Sequence, residues 1–247
     1  MTTVSILTIT QHKRFICLKN LYDIIQAQTY LEIKEWIIVE GSQNIELKQN
    51  NIENIEIFIN EKKDLTNIKM RLIKSDDILP LSDLRNLGND NCLGDIIVCM
   101  DDDDYYPPIS VNHTVEKLNK YNRLIAGCSG IYLYDFKLNK LYKCSGYHNN
   151  HSTNNCMAYK REYLKNHRYK DGLHFAEEYS FTNGFTEPMI PLNPEKCIIV
   201  SIHEYNTVDK QKWITDNEFI SEVKDKNILD IIPHKIFENM KEAFYFE

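Results

Sequence analysis

The sequence predicts an α/β fold: a mostly parallel central sheet flanked by helices, with a small antiparallel piece and a C-terminal helical tail. Three observations carry that expectation. Strand-like and helix-like segments alternate through the first hundred residues, the pattern of crossover-connected parallel strands. The strand segments are alternating and β-branched, as in Val4–Thr10, or fully apolar, as in Ile96-Ile97-Val98-Cys99-Met100. A run of four carboxylates, Asp101-Asp102-Asp103-Asp104, follows the second of these strands directly.

Each element follows from its local pattern. Val4–Thr10 is β-branched and reads as a strand. Phe15–Gln28 carries Phe15, Leu18, Leu21, Ile24 and Ile25 at spacings of a helical stripe. Glu35–Val39 is a second strand, stopped by Glu40-Gly41-Ser42, and Ile55–Ile59 reads as a third. Residues 60–80 are polar and ambiguous, with Lys62, Lys63, Arg71 and Lys74 among them. Leu81–Cys92 is a helix closed by Gly94, and Asp95–Met100 a strand. Beyond Pro107-Pro108, Val111–Tyr121 reads as a helix. Leu124–Tyr134 and Lys140–Gly146 read as antiparallel strands around the Asp135–Asn139 turn. Tyr159–Asn166 reads as a helix, Ile198–Ile202 as a strand, and Lys210–Val223 and Pro233–Phe244 as terminal helices. No repeat and no Pro/Gly/Ser linker divides the chain. The expected organisation is one domain over 1–207, in halves 1–108 and 109–207, with a helical extension over 208–247.

Composition narrows the function. Hydrophobic residues make up 43% of the 247 and charged residues 26%, ordinary globular usage that excludes disorder and fibrous repeats. Lys+Arg 29 against Asp+Glu 36 gives a net charge of −7, which argues against nucleic-acid binding by bulk electrostatics. An anionic small ligand remains compatible, because a site can be locally positive. No basic, apolar leader precedes Val4, and no apolar stretch approaches the ~20 residues that cross a bilayer. The seven cysteines are scattered without CxxC spacing, so reduced, buried thiols and a cytoplasmic location are expected.

The aspartate run carries the chemistry. Adjacent carboxylates at the end of a buried strand repel, and some are driven towards protonation unless a cation sits among them. The carboxyl edge of an open α/β sheet is also where ligands bind. A hard divalent cation takes one or two protein carboxylates and completes its shell with water and substrate phosphates. Against this stands a plainer reading, a solvated acidic turn that caps the next helix.

Met100-Asp101-Asp102-Asp103-Asp104-Tyr105-Tyr106-Pro107-Pro108 resembles the Asp-x-Asp segment of family 2-type glycosyltransferases of the GT-A fold. Val4–Thr10 resembles that family's opening strand, Gln28-Thr29-Tyr30 the "Q-T-Y" end of its first helix, and Trp36–Ser42 its second strand, with Glu40 replacing the usual Asp. Leu84-Arg85-Asn86-Leu87-Gly88, followed by Gly94-Asp95-Ile96-Ile97, resembles its "A-R-N-x-G … G-x-x-I" approach. Order and spacing agree over residues 4–108 and more loosely to about 207. The four-Asp form with a Tyr-Pro-Pro tail is similar to enzymes from bacteria and large DNA viruses, the latter implying a host cytoplasm.

The resemblance implies a metal-dependent, inverting transfer of a sugar from a nucleoside-diphosphate sugar, UDP-sugars favoured, to a glycan or small hydroxyl acceptor. It makes 1–108 the nucleotide-binding half and 109–207 the acceptor and sugar half. Thr8 on the first strand and Glu40 would hold base and ribose, and Arg85 the diphosphate; a helix-surface ion pair of Arg85 with Asp83 or Asp90 is the alternative. Asp101 would face the ribose and Asp103 the metal, Mn²⁺ or Mg²⁺; the early proline leaves Asp102 as a second choice of ligand. Glu177-Glu178 resembles the family's "E-D" segment, with Glu178, or else Glu177, as general base; an exposed acidic pair at a helix start is the alternative. Asn155–Tyr159 resembles the sugar-pocket segment. His203, in His203-Glu204-Tyr205-Asn206-Thr207, resembles the family's "H-x-x-N-T" histidine that closes on the metal or diphosphate. No specific pattern ties His148, His151 or His174 to the acceptor.

Two other readings compete. A sugar nucleotidyltransferase would need a Gly-rich phosphate loop after the first strand, where Thr10-Gln11-His12-Lys13-Arg14 has no glycine. A non-catalytic nucleotide- or glycan-binding module, or a Ca²⁺-binding domain, would not need Glu177-Glu178 and His203 beside the aspartates. For the tail, with Trp213, Ile214, Ile220 and Val223 on one stripe, the open fates are packing on the chain's own core, a homodimer contact, or a membrane surface. The first is favoured, because its lysines are balanced by acids.

Overall fold

The computed structural model describes residues 1–206 and 210–245. Its centre is a seven-stranded sheet in which four strands, all parallel, come from the first hundred residues. They are β1 (Val4–Thr10), β2 (Ile33–Glu40), β3 (Lys69–Ile73) and β4 (Ile96–Cys99). The intervening helices are α1 (Phe15–Gln26), α2 (Ile45–Lys62) and α3 (Leu81–Asn91). The chain continues through α4 (Ser110–Lys120), β5 (Ile125–Gly127), β6 (Ile131–Asp135), β7 (Lys140–Cys144), β8 (Ala158–Lys160), α5 (Glu178–Phe181), β9 (Ile190–Pro191) and β10 (Ile199–Ile202). It closes with α6 (Lys210–Thr215), β11 (Ile220–Glu222) and α7 (His234–Tyr245). The large sheet runs β3-β2-β1-β4-β8-β5-β9, and a smaller, mostly antiparallel sheet runs β10-β6-β7-β11.

Apolar residues are buried on both faces of the large sheet. Val4, Ile6, Trp36, Ile38 and Val98 pack with Leu18, Leu21 and Ile25 of α1, Ile55 and Phe58 of α2, and Val111 and Val115 of α4. The opposite residues, Leu7, Ile9, Ile37, Val39 and Ile97, pack with Leu84 of α3 and the rings of Tyr159, Tyr163, Tyr169 and Phe181. Gly94 lets the entry to β4 lie against β1. A Cβ there would stand 2.5 Å from the Ser5 amide nitrogen and 2.8 Å from the Val4 carbonyl carbon.

Four local expectations are corrected. Ile55–Ile59 is not a strand but lies inside the 18-residue helix α2, whose start is capped by the Asn44 side chain accepting from the Leu47 N–H at 3.0 Å. Ile52, Ile55 and Phe58 point into the core at helical spacing and Ile57 to solvent; the third strand is instead Lys69–Ile73, in the polar stretch. Tyr159–Asn166 is not a helix: Ala158–Lys160 pairs antiparallel with β4, and only a 3-10 turn, Arg161–Lys165, follows. Leu124–Tyr134 is broken at Cys128-Ser129-Gly130 into strands of two different sheets. The helix expected over Lys210–Val223 ends at Thr215, because the Asn217 side chain caps the Phe219 N–H and turns the chain into β11, which pairs with β7.

The extension folds back on the chain. Helix α7 lies on α1, with the Asn20 amide donating to the Asn239 carbonyl at 2.9 Å and Phe237, Met240 and Phe244 in the core. Trp213, Ile214, Ile220 and Val223 pack against the same core. Among the described residues, no helix is long and apolar enough to cross a membrane.

Because Gly94 meets backbone rather than a movable side chain, Gly94→Ala is expected to cost about 1–3 kcal/mol, the usual penalty of overpacking. Urea unfolding reads this as a lower midpoint at constant slope, and an unchanged midpoint would refute the close approach.

Candidate active site

The adjacent carboxyl ends of β1 and β4 bring Thr10–Arg14 against the aspartate run. The four aspartates then separate, each to different partners. Asp102 turns inward, accepting from the Thr10 hydroxyl at 2.5 Å and pairing with Arg14 Nε at 3.1 Å. Asp103 Oδ2 meets Arg14 Nη1 at 2.9 Å, His203 Nε2 at 3.1 Å and Asn206 Nδ2 at 3.3 Å. Asp104 accepts from Asn155 Nδ2 at 2.6 Å and from the Ser201 N–H at 2.8 Å. Asp101 is the most open of the four, and Arg85 Nη2 lies 3.7 Å from its carboxylate.

Burial pushes Asp102 up to about 8 against the pull of Arg14, with Asp103 adding repulsion. Burial likewise pushes Asp104 up to about 7 and raises Asp101. Burial also opposes ionisation of Asp103, but Arg14 and His203 overcome it and hold that carboxylate well below its ordinary range. His203 itself is lowered by burial despite Asp103 beside it. Its ring stacks on Phe244 of α7 at 4.0 Å and 7°, so the far end of the chain sets its orientation.

The second acidic pair lies across a pocket of about 220 Å³, whose lining includes Arg14, Arg85, Asp101, Asp103, Glu178 and Lys210. Ala176, at φ +52°, turns the chain so that the two glutamates diverge. Glu177 is buried in the pocket wall, where its Oε1 accepts from Arg85 Nε at 2.6 Å and Asn154 Nδ2 at 2.9 Å. Glu178 begins α5 and faces the pocket; burial and then Glu177 push it up to about 7. A larger cleft of about 520 Å³ lies elsewhere, beside β7 and β11; its lining holds the exposed Lys140–Glu222 pair and Lys226, which pairs with Glu195.

The carboxylates of Asp101, Asp103 and Asp104 offer oxygens within 4.8 Å of one another, an all-oxygen set that fits a hard divalent cation. Asp102 and His203 stand outside that trio. Asp102, expected as an alternative ligand, is instead committed to Thr10 and Arg14, and His203 reaches the trio through its hydrogen bond to Asp103. Thr8 also departs from expectation: it is fully buried, and its hydroxyl accepts from the Trp36 indole N–H at 2.9 Å. Glu40 is neither on the surface nor on the pocket wall. Its Oε1 accepts from the Ser42 amide and hydroxyl and from Asn51 Nδ2, ordering the turn after β2. Arg85 is paired to neither Asp83 nor Asp90, since Asp90 pairs with Arg168. Thr207 of the histidine motif lies outside the described residues.

Sequence reasoning gave no role to Arg14, Asn154 or Lys210, and named Asp104, Asn155 and Asn206 only as members of their motifs. Arg14 had a readable signal, a basic residue just beyond the carboxyl end of a buried strand. Asn154 and Lys210 had none, because their role depends on separate segments meeting.

A mostly parallel sheet with clustered aspartates at its carboxyl edge, cations beside them and a second acid across the pocket is the architecture of a GT-A glycosyltransferase. The chain belongs to glycosyl transferase family 2, whose model matches residues 17–178. Among solved structures it is similar to S. aureus TarS 1–349, at 13% identity and a TM-score of 0.58, over 81% of this chain and 60% of that one. That fragment in complex with UDP-GlcNAc aligns at 13% identity and a TM-score of 0.57, over 83% of this chain and 60% of that one. The mannosyltransferase PcManGT from Pyrobaculum calidifontis, in complex with GDP-Man and Mn²⁺, aligns at 12% identity and a TM-score of 0.62, over 98% of this chain and 68% of that one. The chain therefore spans about 60% of the TarS fragment's length. No curated protein sequence matches it.

The Arg85–Glu177 pair is buried, so Arg85→Met and Glu177→Gln are each expected to cost about 3–5 kcal/mol by stranding a charge or its partner, and the double variant less than their sum. A double-mutant cycle in urea measures the coupling; a value near zero would mean that the pair is not formed.

Proposed function

We propose that the protein is a divalent-metal-dependent, inverting hexosyltransferase acting on a nucleoside-diphosphate sugar, UDP-sugars first, with Mn²⁺ or Mg²⁺ held by Asp101, Asp103 and Asp104. The observation that carries this reading is that Asp101 and Asp103 of that carboxylate trio line the same pocket as Glu178. Donor complexes of similar proteins, UDP-GlcNAc with TarS and GDP-Man with Mn²⁺ for PcManGT, support the donor class. Residues 1–108 supply the donor half and 109–207 the acceptor half, while the extension adds Lys210 to the pocket wall.

The bound cation would neutralise charge on the leaving diphosphate. Arg14, Arg85 and Lys210 add fixed positive charge in the same pocket. His203 holds Asp103 in place, and the Arg85–Glu177 pair aligns the base side. Glu178 takes the proton of the acceptor hydroxyl as its oxygen attacks the anomeric carbon. The new C–O bond forms on the face opposite the breaking bond to the diphosphate oxygen, which keeps the electron pair, and the configuration inverts. Glu178 rather than Glu177 fits the base, because Glu177 is committed to Arg85 and Asn154. All seven cysteines are free and buried, which supports a reducing, cytoplasmic place of action.

Nucleoside diphosphate release from a panel of UDP- and GDP-sugars, with and without Mn²⁺, is the direct test. At least one donor is expected to be hydrolysed slowly, with water as acceptor, and Asp103→Ala is expected to remove the Mn²⁺ stimulation. No turnover of any donor, or an unchanged Asp103→Ala enzyme, would sink the reading.

The pH profile follows from Glu178. A base with its value near 7 is protonated below that pH, so the rate should fall about tenfold per unit on the acid side and level off above. Glu178→Gln should lower kcat by roughly 10²–10⁴-fold and abolish that limb. With Mn²⁺ saturating at every pH, so that protonation of Asp104 does not release it, an acid limb that persists in Glu178→Gln would assign the base elsewhere.

A further inference from the structure

We propose that the Tyr106 hydroxyl is a positioning group for the carboxylate trio: it ties the Asp101 amide to Asn155, which holds Asp104, and so tunes the site toward a small divalent cation and against Ca²⁺. This rests on the cation reading above and adds the residue that sets its selectivity.

The three carboxylates are held unevenly. Asp103 is fixed by Arg14, His203 and Asn206. Asp104 has two donors of its own, Asn155 Nδ2 at 2.6 Å and the Ser201 N–H at 2.8 Å. The Asp101 carboxylate has a looser neighbour, Arg85 Nη2 at 3.7 Å, so its place depends on where the main chain sets it. There the Asp101 N–H donates to the Tyr106 hydroxyl at 2.8 Å, and that hydroxyl donates in turn to the Asn155 carbonyl at 3.1 Å. One oxygen thus joins the backbone of one ligand to the residue that grips another.

Tyr106 is itself firmly seated. It is 3% exposed, lies in the core with α1 and α4, and is not part of the pocket wall, so it acts through the ligands rather than on the cation. Gln28 Nε2 donates to the Tyr106 carbonyl at 3.3 Å and to the Pro107 carbonyl at 3.1 Å. The same side chain's Oε1 accepts from Ser110 Oγ at 3.1 Å and the Val111 N–H at 3.2 Å, which staples the turn to the start of α4. On the other side, Tyr105 exchanges main-chain bonds of 3.0 and 2.8 Å with Ile199 of β10. Asn155 is anchored as well, its Oδ1 accepting from Thr153 Oγ1 at 2.7 Å.

Ligand spacing decides which ion fits. Clustered carboxylates repel one another and spread where the backbone lets them. Mg²⁺ demands near-octahedral oxygens at about 2.0–2.1 Å, whereas Ca²⁺ accepts about 2.3–2.6 Å and irregular geometry. Without the Tyr106 tie, Asp101 is free to draw away from Asp104, and the loosened set loses the smaller ion first.

Electron paramagnetic resonance of Mn²⁺ bound to the full chain tests this, with Mg²⁺ and Ca²⁺ titrated in as competitors. Asp103→Ala, which deletes one ligand, identifies the bound Mn²⁺ as the trio's. Tyr106→Phe removes one oxygen and keeps the ring. It should weaken Mn²⁺ and Mg²⁺ about tenfold, the usual scale for a group that orients a metal ligand, and change Ca²⁺ little. The control is Tyr163→Phe, which loses a buried hydroxyl donating to the Phe181 carbonyl at 3.0 Å in the other core. It should lower the melting temperature by circular dichroism and leave the ratio of Mg²⁺ to Ca²⁺ competition unchanged. An unaltered ratio in Tyr106→Phe, or an equal shift in Tyr163→Phe, overturns the inference and leaves the cation site standing. A chain that binds no Mn²⁺, or whose bound Mn²⁺ survives Asp103→Ala, removes the cation reading and this inference with it.

Discussion

The site depends on one electrostatic constraint: four consecutive carboxylates end a buried strand, and four like charges at that spacing cannot all be ionised in a low-dielectric setting without compensation. The fold meets it by giving each aspartate different partners. Asp102 goes to Thr10 and Arg14, Asp103 to Arg14, His203 and Asn206, and Asp104 to Asn155 and the Ser201 amide, while Asp101 stays the most open. Arg14 is central because it touches two of them; burial raises both, and Arg14 together with His203 holds Asp103 low while Asp102 stays raised. The result is one firmly ionised carboxylate, Asp103, beside two whose ionisation a divalent cation would favour.

This division draws on three strand ends. Arg14 follows β1, the aspartates follow β4, and His203 and Asn206 follow β10, so three strand ends converge on one point. Helix α7 then closes over the back, with Phe244 stacked on His203 and Phe136 and Phe237 stacked beneath. The C-terminal segment thus belongs to the site's support, although it lies beyond the family match ending at residue 178.

Much of the frame was legible because its signals are local. β1, β2 and β4 are apolar runs with β-branched residues, and α1 and α3 show helical spacing between them. The failures share a cause. Ile55–Ile59 has strand-like composition, yet Ile52, Ile55 and Phe58 repeat at helical spacing against the sheet, and packing overrode composition. Tyr159–Asn166 and Lys210–Val223 contain helical stripes, yet part of each was claimed by a strand, β8 between β4 and β5 and β11 beside β7. Strand pairing is a long-range event that no local window reports.

The sequence by itself determined the fold class and the acidic end of β4, because apolar periodicity and adjacent charges act over a few residues. It also marked Glu177 and Glu178 as a pair of interest. The tertiary structure decided how those acids divide: Glu177 turned inward to Arg85 and Glu178 left facing the pocket, Asp102 withdrawn, Asp104 brought into the trio, Thr8 and Glu40 buried. It alone set the Tyr106 hydroxyl between the Asp101 amide and Asn155. Those outcomes depend on which side chains residues far apart in the chain bring within about 3–6 Å, the range over which hydrogen bonds, ion pairs and ring contacts act.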